Sequence, residues 1–162
     1  SEPAITPAHQ FEHEWEEIST QIQDLITIKR EEDFPIIKKS AKLAEYFYKL
    51  LVEEIEDIVD KGESRKHSEI TKKVEKYLVD NKMKYEQELL VRPGFADLAY
   101  SPIIQSGGQY NLKPNAESND DVLKYDCIMV SLGAKYLEDN TNVVRTLFID
   151  ASEDEKTAYT HV

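Results

Sequence analysis

The hydrophobic positions of this chain change their spacing near residue 100. Before it, apolar residues recur three or four residues apart, the spacing of one face of an α-helix. The longest such series begins at about Asp33 and comprises Ile36, Ile37, Ser40, Leu43, Ala44, Phe47, Tyr48, Leu51, Ile55, Ile58 and Val59. After it, apolar residues alternate or run together between glycines, which is typical of strands. The pattern predicts long helices followed by strands, and hence an α+β layer with helices packed on an antiparallel sheet.

Local signals indicate where the predicted helices begin and end. Pro35 suits the first turn of the long helix, Asp33 can cap its free amides, and Gly62 follows its last residue. A second helix is predicted from about Ser68 to Asn81, with its apolar side formed by Ile70, Val74, Tyr77 and Leu78. A shorter helix around residues 15–26 is expected to give way to extended chain before Lys29, because 26–28 contains two β-branched isoleucines around a threonine.

Three apolar runs predict the strands. The run at Ile103 and Ile104 ends at two glycines, the run 127–130 ends at Gly133, and the run 143–149 ends at Asp150. The last two are expected to be neighbouring and antiparallel, joined across residues 134–141. The following Ser-Glu-Asp-Glu sequence reads as a capping box that opens a final helix.

Charge restricts the partners. The 162 residues contain 20 basic and 32 acidic side chains, a formal charge of −12. Such a chain repels the phosphate backbone, so direct nucleic-acid binding is not predicted, whereas a basic protein partner is compatible. The single cysteine, Cys127, has no partner for an internal disulfide and suits a reducing compartment. The sequence contains no run of 18 apolar residues, so no membrane span is predicted.

Three segments of the strand region carry a resemblance to a known family. They are residues 103–108 (IIQSGG), 129–134 (MVSLGA) and 141–147 (TNVVRTL). They are similar to the metal-binding sheet of the creatinase-like, or pita-bread, metallopeptidases. The two metal-binding aspartates of that family correspond here to Ser131 and Asn142, which are neutral. No histidine occurs between His67 and His161 to fill the family's substrate-binding role.

One branch of that family is especially similar: the large subunit of the FACT histone chaperone, whose amino-terminal region resembles an inactive aminopeptidase. Residues 100–108, 110–113 and 142–147 carry this likeness, supported by 65–68. The resemblance implies a connector and short helix from a preceding lobe over 1–28, then the first half of an inactive aminopeptidase-like, pita-bread domain over 29–162. It also implies no catalytic residue, no bound metal and no cofactor.

The function implied by the resemblance is noncatalytic. The resemblance implies a histone-binding module of a nucleosome-reorganising chaperone. Such a chaperone is located in the nucleus and on chromosomes and acts in transcription, replication and repair. The expected partners are core histones, a smaller HMG-type companion subunit bound through other regions, and replication or transcription factors. The alternative is a divergent metallopeptidase of the creatinase or aminopeptidase P family, or a fragment of one, which would need metal-activated water.

Two further groups of residues have competing interpretations. One group is an acidic patch formed by Glu53, Glu54, Glu56 and Asp57. The patch is either a surface that faces histones or, more simply, the solvated face of the long helix. His67 precedes the second helix beside two basic residues. It is predicted to be exposed or to cap that helix rather than to bind metal, because no second ligand lies at helical spacing from it.

Overall fold

A computed structural model describes residues 17–113 and 115–161, and the chain divides into two units between Glu31 and Glu32. The described part of the first unit contains helix α1 (Ser19–Thr27). Its backbone becomes extended at Ile28, with φ −72° and ψ 114°, inside the β-branched run where the sequence predicts the change. The predicted boundary between residues 28 and 29 stays a prediction.

Four α-helices are described in the second unit: α2 (Phe34–Asp60), α3 (His67–Asp80), α4 (Lys82–Glu88) and α5 (Glu153–Thr160). The long helix is confirmed, with Pro35 in its first turn and Gly62 after its end at φ +62°. The predicted capping by the Asp33 side chain is wrong. Asp33 ends a 3-10 turn, Glu31–Asp33, in the right-handed helical region, whereas a capping residue normally has extended backbone.

The strands β1 (Ala96–Ser106), β2 (Asp126–Tyr136) and β3 (Asp139–Ile149) form one antiparallel sheet in the order β1-β2-β3. The predicted pairing of the last two strands is confirmed. Their connection is much shorter than expected, because Tyr136 pairs with Asp139 and only two residues turn the chain. One of them, Leu137, has φ +54°, and its amide donates to the Phe95 carbonyl at 3.1 Å.

Strand β1 is longer and less regular than the sequence predicts. Its pairing with β2 shifts register on both sides of Tyr100. Pro102 lies within it and has no amide hydrogen for a ladder bond, which favours an edge strand with irregular pairing. The Pro102 carbonyl instead accepts hydrogen bonds from the hydroxyls of Thr71, at 3.1 Å, and Ser118, at 3.0 Å.

The core lies between the helices and one face of the sheet. α2 packs on β2 and β3, and α3 packs on β1. Alternate residues of β2 are buried, as a strand with one covered face requires: Ile128, Val130, Leu132, Ala134 and Tyr136. A buried Ser40 hydroxyl on α2 donates to the Ala134 carbonyl at 3.0 Å and joins the helix to the sheet. The opposite face of the sheet therefore carries the other set of side chains.

Within the described residues, no helix is both long and apolar enough to cross a membrane.

Candidate functional site

The outer face of the sheet, away from α2 and α3, brings Ser131 and Asn142 together. In the β2–β3 register Ser131 lies opposite Val144, and Asn142 lies opposite Gly133. Because opposed residues of an antiparallel pair share a face and side chains alternate along a strand, all four positions lie on that face. Ser131 and Asn142 line one hollow there.

Tyr100 reaches this hollow from β1. Its hydroxyl lies 2.8 Å from the Ser131 hydroxyl, a hydrogen bond in which either group can be the donor. The irregular pairing on both sides of Tyr100 places it opposite Gly133, two residues along β2 from Ser131. The ring therefore lies across the neighbouring strand, and its polar end meets the serine.

Gly133 makes room for these side chains. A Cβ atom at this position would lie 2.5 Å from the Asn142 Oδ1, 2.7 Å from the Tyr100 Cε1 and 3.0 Å from the Ala99 Cβ. Each separation is well inside the ordinary contact distance of about 3.5–4.0 Å between carbon atoms. The Tyr100 ring and the Asn142 amide thus occupy the space above a residue that has no side chain.

The opposite wall of the hollow is formed by the segment after β1. We call the whole hollow the outer cleft; its volume is about 600 Å³. The residues that line it are Tyr100, Ser101, Ile103, Lys113, Asn115, Ala116, Glu117, Ser131 and Asn142. Its charged groups are one ammonium, from Lys113, and one carboxylate, from Glu117, so the lining is neutral overall.

His67 holds this wall against the body of the domain. The Asn119 side-chain amide donates to the Asp121 carboxylate at 2.6 Å, which directs its oxygen toward the His67 Nδ1 at 2.7 Å. His67 Nδ1 must therefore donate, and in the neutral imidazole Nε2 accepts from the Ser106 hydroxyl at 2.7 Å. The Ser106 oxygen in turn accepts the Lys124 amide at 2.9 Å. One imidazole thus links α3, the end of β1 and the wall segment.

The predicted exposed or capping role of His67 is wrong, since its side chain is 1% exposed. The residue before α3 is Lys66, whose amide donates to the Glu69 carboxylate at 3.2 Å. Ser68 donates to the Asp120 carboxylate at 2.5 Å. That hydroxyl and the Lys66 ammonium lower the pKa of Asp120.

The acidic patch lies elsewhere, on α2. Glu53, Glu54 and Asp57 line a groove between α2 and α3, together with Leu50, Val74, Tyr77 and the Lys73 ammonium. Glu56 is exposed and is not among the residues that line it. The structure therefore groups three of the four predicted carboxylates around an apolar floor and places the fourth outside.

Residues 35–162 match the family description "Metallopeptidase family M24". The match covers well over half of the chain. The chain belongs to metallopeptidase family M24. Its α+β fold, the first half of a pita-bread domain with long helices on an antiparallel sheet, agrees with that membership and confirms the predicted fold class.

Within family M24, the chain is similar to the large subunit of the FACT complex. It is 32% identical over 147 residues to the FACT complex subunit SPT16 of Zea mays, a match that covers 88% of this chain and 14% of that protein. The chain thus spans about a seventh of the length of this curated relative. The predicted resemblance to the large FACT subunit is confirmed.

Solved structures of the family show the same relationships. The N-terminal domain of FACT complex subunit SPT16 from Eremothecium gossypii superimposes with a TM-score of 0.80 at 28% identity, covering 89% of this chain and 35% of that one. An X-Pro aminopeptidase from Thermotoga maritima superimposes with a TM-score of 0.63 at 21% identity, covering 88% of this chain and 36% of that one. The second likeness establishes the shared M24 fold.

The metal centre implied by family M24 does not fit the residues of the outer cleft. Divalent cations bound through oxygen are held by carboxylates, which supply negative charge as well as lone pairs. Ser131 and Asn142 supply a hydroxyl and an amide, and the Ser131 hydroxyl already bonds Tyr100. Their assignment as the family's ligand positions rests on the sequence motif and stays a prediction. The geometry adds that the two share one cleft and that the Ser131 hydroxyl is engaged in a neutral contact.

Two residues of this site carry no clear local signal in the sequence. Tyr100 stands in an apolar stretch where an aromatic residue predicts only burial, and His67 stands among charged residues that predict exposure. Their roles depend on groups distant in the chain: the Ser131 hydroxyl is 31 residues from Tyr100, and the Asn119 amide is 52 residues from His67. Gly133 is the one feature of the sequence that indicates close packing on the outer face.

Proposed function

We propose that this chain is a noncatalytic histone-binding module of a nucleosome-reorganising chaperone, acting on chromatin in the nucleus during transcription and replication. The similarity to FACT complex subunit SPT16 supports the class of protein. The observation that carries the proposal is the Tyr100–Ser131 hydrogen bond across the outer cleft. It commits one of the two predicted ligand positions to a neutral contact, so the module acts by binding rather than by hydrolysis.

Charge supports a basic partner. The chain has a net formal charge of −12. Its fold places three carboxylates around one groove on α2. Histones are rich in lysine and arginine, and complementary potentials speed association and select the partner. Capture of this kind shields basic histone surfaces while a nucleosome is opened or rebuilt. The other proposed partners are a companion subunit, bound through other regions of such a protein, and replication or transcription factors.

The proposal is tested by calorimetric titration of the 162-residue chain with purified core histone complexes at about 0.15 M salt and again at about 1 M. The Debye length falls from about 8 Å to about 3 Å across this range, so electrostatic capture weakens strongly. Saturable binding that weakens with salt is the expected result. No binding at either salt would make this region a docking or scaffolding domain instead.

The competing function, hydrolysis by a divergent M24 peptidase, has its own test. The chain is incubated with Mn²⁺, Co²⁺ or Zn²⁺ and short X-Pro peptides, and bound metal and free amino acid are both measured. We expect no stoichiometric metal and no cleavage, because the predicted ligand positions carry no negative charge. Stoichiometric metal together with peptide cleavage would overturn the proposed noncatalytic role.

A further inference from the structure

Two neighbouring hollows along α2 share part of their lining. The first, of about 330 Å³, lies between α2 and α3. The second, of about 370 Å³, lies between α2 and α4. Leu50 and Glu53 line both. The combined surface, which we call the α2 groove, follows α2 from Lys42 to Asp57, and 15 residues of helix span about 22 Å.

The floor of the α2 groove is apolar and partly open. Leu50 is half-buried at the junction, with Tyr46 and Leu89 half-buried on one side of it. On the other side are Val74 and Tyr77, and the Tyr77 side chain remains 39% exposed. Covering an open apolar floor with another polypeptide segment removes it from water and is favourable.

Three of the rim carboxylates are already paired with lysines. The pairs are Glu45–Lys49 at 2.7 Å, Glu54–Lys73 at 2.6 Å and Asp57–Lys61 at 2.5 Å. These contacts satisfy the carboxylates and hold the rim in place. They also leave less negative charge available than the number of acidic residues in the groove indicates.

Two rim carboxylates are different. Glu53, at the junction of the two hollows, and Glu88, at the α4 end, form no ion pair with any described residue. Five carboxylates and three ammonium groups line the groove, and Lys61, paired with Asp57, adds a fourth ammonium group, so one net negative charge remains. The arrangement is therefore an apolar floor with carboxylates that form no ion pair at its middle and at one end.

We infer that the α2 groove binds a lysine- and arginine-rich peptide segment that carries one apolar side chain between its basic residues. The apolar side chain covers Leu50 and Tyr77, and the basic groups meet Glu53 and Glu88. This inference rests on the proposed function and names the part of a histone-like partner that the module takes. A wholly apolar segment is disfavoured because it would bury Glu53 without a counter-charge. Nucleic acid is disfavoured because its phosphates would face carboxylates.

The test uses a fluorescently labelled synthetic 15-residue peptide, rich in lysine and arginine with a central leucine, titrated with the 162-residue chain by anisotropy. Glu53→Lys places a like charge at the junction and should weaken binding about tenfold, as expected when one surface ion pair becomes a repulsion. Glu56→Lys is the matched control, since it makes the same change three residues away on α2, outside the groove. It should weaken binding less than about twofold.

The apolar part of the inference is tested separately. Replacing the central leucine of the peptide by serine keeps its charge and should weaken binding about fivefold, and Tyr77→Ser in the protein should have a similar effect. Far-UV circular dichroism of each variant checks that its helices are intact. Equal losses for Glu53→Lys and Glu56→Lys, or equal affinity for the leucine and serine peptides, would contradict a groove and indicate diffuse charge attraction.

Titrating the same variants with core histone complexes separates the two proposals. Histone binding that is equal for the wild type and Glu53→Lys would overturn the α2 groove as the site while leaving the proposed function standing. Absence of histone binding to the wild type would overturn the proposed function itself. Histone binding lost in Glu53→Lys and kept in Glu56→Lys supports both.

Discussion

The outer cleft and the α2 groove are both lined by polar side chains, but their polar groups are satisfied differently. In the outer cleft, Tyr100 and Ser131 bond each other, and Asn142 fills the space above Gly133. In the α2 groove, Glu53 and Glu88 have no ion-pair partner among the described residues, and the floor is apolar. In the outer cleft the Ser131 hydroxyl is thus already bonded within the fold, while the carboxylates at the middle and one end of the α2 groove are left able to bind a basic group.

This difference has an energetic consequence. Changes in the outer cleft disturb packed or hydrogen-bonded groups, so they should alter the stability of the domain. Changes at exposed carboxylates of the α2 groove should alter binding and leave stability within about 0.5 kcal/mol. The two regions are therefore separable by experiment.

The largest effect is expected for His67→Ala. The substitution empties a buried site and removes two hydrogen bonds, of 2.7 Å each, to Asn119 and Ser106. Loss of buried side-chain volume together with unsatisfied polar partners costs about 3 kcal/mol. Urea unfolding measures the loss. Hydrogen exchange should show faster exchange of the Lys124 amide, with less change in the middle of α2.

A uniform increase in exchange across the whole domain after His67→Ala would contradict a local role for His67 in holding the cleft wall. Ser64→Ala is a suitable control on the same chain, because Ser64 is exposed and lies outside α3. Its free energy of unfolding should stay within about 0.5 kcal/mol of the wild type.

The second effect concerns Gly133→Ala. The new methyl group would lie 2.5 Å from the Asn142 Oδ1 and 2.7 Å from the Tyr100 Cε1, so both side chains must move. Forcing extra volume into a packed site costs about 1–3 kcal/mol. If the clash with Asn142 is the main cause, adding Asn142→Ala should restore part of the loss in urea unfolding. Full stability of Gly133→Ala by itself would show that the outer cleft is loosely packed.

The contrast between the two regions also shows what the sequence can predict. Helix α2 and the pairing of β2 with β3 depend on periodicity along a single segment, and both are confirmed. The two-residue turn at Leu137 was not predictable in the same way. Such turns usually need residues that tolerate positive φ, such as Asn-Gly, and here Leu137 adopts φ +54° while packing against the core.

The buried histidine and the polar contacts of the outer cleft were not predictable from local patterns. His67 is surrounded in sequence by charged residues, yet its partners lie 52 and 39 residues away. The sequence predicts only the part of β1 around Ile103 and Ile104, although the strand begins at Ala96. In these cases distant contacts decide the structure, and a single sequence does not reveal them.

The third prediction concerns alkaline pH and the helix side of the molecule. Tyr85 packs under the α2 groove, with its ring centre 5.3 Å from that of Phe47 and 5.9 Å from that of Tyr46. Burial raises the pKa of Tyr85, and the nearby Asp97 and Glu86 carboxylates raise it further. A raised folded-state pKa gives stability that is full below the unfolded value, about 10, and is lost as pH rises toward the folded value.

Stability of the wild type should therefore fall above about pH 10, with a contribution from Tyr85 of up to about 1.4 kcal/mol per pH unit. Tyr85→Phe keeps the ring and removes the ionisable group, so this part of the slope should disappear. Urea unfolding between pH 8 and pH 11 makes the comparison. Equal slopes for the two proteins would mean that Tyr85 ionises as easily in the folded domain as in the unfolded chain.

The smallest effect is expected from removing the hydrogen bond between Tyr100 and Ser131 in the outer cleft. Tyr100→Phe and Ser131→Ala each remove a hydroxyl from the same 2.8 Å contact, and each should cost about 0.5–1.5 kcal/mol. Because both changes delete the same bond, the double variant should be little less stable than either single one, which gives a coupling energy of about 0.5–1 kcal/mol in urea unfolding. Additive losses would mean that each hydroxyl bonds water instead. The outer cleft would then be an open polar surface, and the difference between it and the α2 groove would be one of charge and not of packing.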